Sequence, residues 1–164
     1  MKLSSTIKGV ITGLLMVAVG LGLFWSKADE RSAVQYAGYL VYGIGIVWSI
    51  TAFAKQREGA LKFGELFNQG FRCIMVVTLI MALYTFIFYK ANTGLIEQKA
   101  ALTKQELLKT ETSRTPQEID AMIETGKKNF PLMAASGAVF QYLFIGMIVT
   151  MATAGSLYLR NKNS

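Results

Sequence analysis

Four stretches of this 164-residue chain carry no charged side chain: residues 9–25, 33–54, 73–89 and 132–159. Charges crowd instead into the gaps between them, which is how a bilayer sorts a sequence, because ionised groups in hydrocarbon are costly. A helix rises about 1.5 Å per residue and a hydrocarbon core is about 30 Å thick, so roughly 20 apolar residues make a span. The windows 33–54 and 132–159 reach that length outright. The windows 9–25 and 73–89 are slightly short; for the first, Lys8 can snorkel and Ile7 can extend the helix. The expected fold is therefore an all-α membrane protein, one domain over residues 1–164, with four transmembrane helices. Its long hydrophilic loop, residues 90–131, lies between the third and fourth helices and is partly helical.

The first window also has features of a signal peptide: basic Lys2 and Lys8, an apolar run, and small residues around Ser26 and Ala28. The run is longer than a usual signal core, and Phe24 and Trp25 crowd the cleavage position. Residues 1–28 are thus expected to remain as the first helix, with Trp25 as an interfacial anchor. Lys27, Asp29, Glu30 and Arg31 are the only charges between the first and second windows, so the first two spans are expected to form a helical hairpin.

Residues 60–72 read as an interfacial amphipathic segment. Phe63, Leu66 and Phe67 recur at i, i+3 and i+4, while Lys62, Glu65, Gln69 and Arg72 follow at steps of three, four and three. Further on, Thr115-Pro116-Gln117-Glu118 supplies an N-cap, a proline at the first helical position and a capping-box glutamate. Gly126 and Pro131 are then expected to let the chain turn back into the membrane. Four spans put both termini on one side. The basic residues Lys2, Lys8, Lys55, Arg57, Lys62, Arg72, Arg160 and Lys162 mark that side as cytoplasmic.

The residues exclude more chemistry than they suggest. The chain has no histidine and one cysteine, Cys73, which removes histidine triads, histidine metal ligands and intrachain disulfides. The net charge of +7 flanks apolar spans and does not form a patch interleaved with aromatics, so nucleic acid is not expected as a partner. The carboxylates from Glu97 to Glu124 match no calcium-loop spacing, and Gly20-Leu21-Gly22 lacks the context of a phosphate loop. No catalytic residue, cofactor or metal site is therefore expected, and the chain does not read as an enzyme.

The candidate interaction residues are Lys62, Glu65, Gln69 and Arg72, on one polar face at the membrane edge, and Gln141, the amide lying well within an apolar window. Each has a plainer reading: an interfacial anchor for the first four, an interhelical hydrogen bond for Gln141. Gly9 and Gly13 form a GxxxG pair, suited to helix packing within the bundle or to a homo-oligomer face.

Phe63-Gly64-Glu65 leading through Gly70-Phe71 into the third span, then Tyr89-Lys90 and Leu95-Ile96-Glu97-Gln98, a charged helical loop and a long glycine-containing fourth span follow one another in this chain. In that order they resemble a bacterial family of four-span membrane proteins known as a domain of unknown function, the 4199 type. The resemblance covers nearly the whole chain. It implies a bacterial inner-membrane location and brings no established activity. Where a proline often follows asparagine in such proteins, this chain has Asn92-Thr93-Gly94. The leading functional expectation is a non-enzymatic accessory or scaffold protein that lies in the lipid bilayer and binds a membrane protein partner or further copies of itself. The alternative is a lipid-handling or lipid-linked-sugar pathway accessory protein, and the third a small transporter.

Overall fold

The computed structural model describes residues 3–26, 36–57, 60–110 and 115–162. The connection between the first two spans, with Lys27, Asp29, Glu30 and Arg31, lies outside the described residues, as do Lys2, Ala28, Glu58, Arg114 and Ser164. The described residues form five helices: α1 (Ser5–Trp25), α2 (Ala37–Gln56), α3 (Phe63–Ala91), α4 (Thr93–Thr110) and α5 (Pro116–Lys162). Four of them, α1, α2, α3 and α5, are long and apolar enough to cross a membrane. The protein is thus an all-helical membrane protein.

Two of these helices begin well before the uncharged windows they contain. Residues 63–72 do not lie apart from the third span but continue into it as one helix, and Leu66 and Gly70 are buried along with Cys73, Ile74 and Val77. The physical reason is periodicity: positions 66, 70, 73, 74 and 77 follow the three-and-four spacing of one helix face, so the same face is buried on both sides of the charge boundary. Likewise α5 is continuous through Gly126 and Pro131, where the sequence suggested a turn. A proline inside a helix removes one backbone hydrogen bond, and a helix this long absorbs that loss. Its start is the expected capping box. The Thr115 N–H donates to Glu118 Oε2 at 2.8 Å, and the Glu118 N–H donates to Thr115 Oγ1 at 3.3 Å.

The chain divides into two compact units. The first comprises residues 1–81 and 138–164, and packs α1, α2, the first part of α3 and the last part of α5. Glycines set its helix separations. A Cβ on Gly9 would stand 3.0 Å from Val76 Cβ and 3.1 Å from the Cys73 carbonyl, and one on Gly13 would stand 2.8 Å from Ile80 Cδ1, so α1 lies tight against α3. Gly45 of α2 receives the Thr12 side chain of α1, and Gly70 of α3 receives Thr150 of α5, 2.5 Å from the nearest atom of such a Cβ. Gly146 of α5 faces the Tyr42 hydroxyl. Around these contacts Tyr42, Ile46, Ile50, Leu66, Cys73, Ile74, Val77 and Ala154 are fully buried.

The second unit comprises residues 82–137. Only Asn92 separates α3 from α4, and its side-chain amide donates to the Phe88 carbonyl at 2.8 Å. Ile96 of α4 and Ile119 and Ala135 of α5 are its buried apolar side chains among the described residues, and Tyr89 meets Phe130 edge to face at 5.0 Å. Lys104 and Asp120 form an ion pair between α4 and α5. Lys127 donates to Glu124 at 3.0 Å, and that hydrogen bond and charge raise the Lys127 ammonium above its ordinary pKa. The hydrophilic stretch is therefore mostly a helical arm.

Candidate functional site

Helix direction brings four ends together in the first unit: the start of α1, the end of α2, the start of α3 and the end of α5. Side-chain bonds tie them. Ser5 Oγ donates to Gln69 Oε1, and Ser49 Oγ reaches the Gln69 carbonyl at 3.5 Å, joining α1, α3 and α2. The Leu61 N–H donates to Asn161 Oδ1 at 2.9 Å, joining the segment before α3 to the last turn of α5.

The expected polar face resolves into residues with different partners. Glu65 does not pair with Arg72. Its Oε1 takes a 2.6 Å hydrogen bond from Arg57, which comes from beyond the end of α2, while its Oε2 is buried with no hydrogen-bond partner. Gln69 is used within the bundle, through Ser5. Lys62 and Arg72 are exposed and make no side-chain hydrogen bond or ion pair to another described residue. Gln141 lies away from this end, where its amide donates to the Tyr39 hydroxyl at 2.6 Å and Tyr39 stands beside the Tyr142 ring. Gly9 and Gly13 face α3 within the same chain.

Lys8 departs from its expected snorkelling position. It is buried, with 4% of its surface exposed, and its ammonium sits 5.7 Å from the centre of the Trp48 ring. No described carboxylate pairs with it. Ser5 and Thr12, one turn to either side on the same helix face, are also buried. A buried cation held only by an aromatic face is unusual, because desolvation exceeds what a ring returns.

The end of α2, the segment before α3 and the end of α5 surround a cavity of about 400 Å³. Two cations line it, Lys55 and Arg160. Thr51 and Asn161 add polar groups, and Ala54, Leu61 and Leu157 form its apolar wall. None of these residues stood out in the sequence as a site. The signal was nonetheless available: Lys55 and Arg160 are the charges that end the second and fourth uncharged windows, and span parity puts both ends on one side. Among the described residues no group of three or more cysteines, aspartates and glutamates is placed to hold a metal ion.

The family described as Protein of unknown function (DUF4199) matches residues 8–157. No curated protein and no solved structure matches the chain.

Proposed function

The chain belongs to the DUF4199 family, whose description carries no activity, and on that premise we propose that it is a non-enzymatic accessory or scaffold protein of the bacterial cytoplasmic membrane. Both termini face the cytoplasm in this reading, and the helical arm is the element that binds a membrane protein partner. One observation carries the proposal. The hydrophilic stretch is ordered into α4 and the first turns of α5, capped at Thr115 and joined by Lys104–Asp120, yet it leaves Leu102 and Leu108 of α4 exposed. Leu102 is 62% exposed and Leu108 48%, on a helix that also carries Glu97, Lys99, Lys104, Glu106 and Lys109. An ordered arm presenting leucines among charges of both signs has the make-up of a protein-contact surface.

Gln69 and Gln141, two of the candidate interaction residues, engage their side chains with Ser5 and Tyr39. Co-purification tests the scaffold reading. Wild-type protein extracted in mild detergent should carry a stoichiometric protein partner or a second copy, and Leu102→Ser with Leu108→Ser should release it without lowering the unfolding temperature of the spans. Undiminished retention by the double variant, or a protein that purifies alone, contradicts the reading.

A further inference from the structure

We propose that the outer seam between α1 and α3 binds one anionic phospholipid, its phosphate on Arg72 and an acyl chain along Val10, Val76 and Leu79. The two glycines of α1 build the seam. Cβ positions on Gly9 and Gly13 fall against Val76 and Ile80, so the backbone of α1 lies directly on α3. Arg72 stands four residues before Val76 and Leu79 three residues after it, which puts all three along one edge of α3. Val76 is half-buried under α1, whereas Arg72 and Leu79 are exposed beside it. On α1, the flank holding Lys8 and Thr12 is buried against α2. The other flank carries Thr6 and Val10, both exposed. Because α1 and α3 start at the same end and run parallel, Thr6 and Val10 form the second wall of the seam.

Depth and charge point to the occupant. Arg72 immediately precedes the uncharged window 73–89, so its guanidinium stands where headgroup phosphates lie and the seam beyond it runs in hydrocarbon. From Arg72 to Leu79 the helix rises about 10 Å, which stays within one leaflet's half of a hydrocarbon core about 30 Å thick. The guanidinium fork matches phosphate oxygens. Ser5 bonds Gln69 and Gly9 meets Cys73, so Thr6 lies within about one turn of Arg72 in height and adds a hydroxyl there. Glu65, seven residues earlier on the same helix, is turned to Arg57. The surroundings favour an anionic headgroup: residues 1–8, 55–72 and 160–164 together carry eight lysines and arginines and two glutamates. Such a field attracts a lipid of net negative charge and opposes a choline ammonium.

The test uses the full chain in nanodiscs of phosphatidylcholine containing a minority of phosphatidylglycerol, with the lipid kept after detergent release counted by native mass spectrometry. Wild type should retain phosphatidylglycerol in preference to phosphatidylcholine. Arg72→Gln should lower that retention about five-fold, which is what one Lys or Arg beside an anionic surface ordinarily contributes. Val10→Trp should lower it with every charge in place, by filling the seam. Lys162→Gln removes a charge at the same end but outside the seam, and should leave retention unchanged. Because Arg72 and Val10 are exposed, their variants should unfold at the wild-type temperature, so a loss of retention reports binding. Undiminished retention by Arg72→Gln or by Val10→Trp, or an equal loss in Lys162→Gln, overturns the site. A second copy of the chain held by wild type and released by Arg72→Gln, with phosphatidylglycerol not retained, overturns the lipid as the occupant.

Discussion

Replacing Gly146 by alanine should destabilise the bundle, whereas the same change at Gly43 should stabilise it slightly. Gly146 lies on α5 against α2 and α3. A Cβ there would run into the Tyr42 hydroxyl and stand 2.8 Å from Ile74 Cγ1 and 3.0 Å from Ile74 Cδ1. Neither neighbour can give way easily, since Tyr42 and Ile74 are both fully buried. Tyr42 is also held by its hydrogen bond to the Tyr142 carbonyl at 2.7 Å, and it meets the Tyr142 ring edge to face at 5.4 Å. Overpacking costs about 1–3 kcal/mol. Losing the buried hydroxyl's partner costs about 1–3 kcal/mol more. Alanine returns about 1 kcal/mol as the better helix former. The balance is a loss of about 3 kcal/mol, or roughly 6–12 °C for a chain of this size. Gly43 has no atom within 4 Å of its Cβ position, so only the helix-propensity gain applies there. Thermal unfolding followed by circular dichroism in detergent gives both numbers. Tyr42→Phe supplies the internal check: with the hydroxyl gone, Gly146→Ala should cost clearly less than in the wild-type background. A Gly146→Ala protein as stable as Gly43→Ala, or a cost indifferent to Tyr42→Phe, would refute the packing argument.

Lys8→Met keeps the length of a buried side chain while removing an ammonium whose partner among the described residues is the Trp48 ring, so it should raise the unfolding temperature. A lowered temperature would reveal an acceptor for Lys8. Thr115→Ala removes the N-cap of α5 and should cost about 1 kcal/mol, felt locally. Hydrogen exchange should then quicken by about five-fold over residues 116–120 and stay unchanged in the spans; an unchanged rate at 116–120 would mean that the cap does not hold this end.

What the sequence made legible was the number and type of spans, because hydrocarbon excludes charge so strongly that the gaps in the charge pattern are the spans. Their ends were less legible. Charge reports where the membrane stops, whereas a helix stops where hydrogen bonding and packing stop, and α3 and α5 continue past the charged residues at Arg72 and Lys128. The residues at the candidate site divide the same way. Glu65, Gln69 and Arg72 lie on α3 and Lys62 just before its first residue, but periodicity describes a helix's own face and not what approaches from outside. Arg57 takes Glu65 and Ser5 takes Gln69 from other segments. Lys8 was hidden for a related reason: its position at a window's edge suggests solvent, and only the packing of α1 against α2 and α3 buries it.

The placement of the arm rests on four membrane crossings with cytoplasmic ends, and cysteine labelling in intact cells tests this most directly. In a Cys73→Ser background, single cysteines at Lys109 and Lys162 report one position in the polar arm and one beyond the last span. A membrane-impermeant maleimide should label position 109 and leave position 162 unlabelled until the membrane is opened. Labelling of 162 but not 109 would reverse the orientation, and labelling of both or neither would contradict the four-span arrangement.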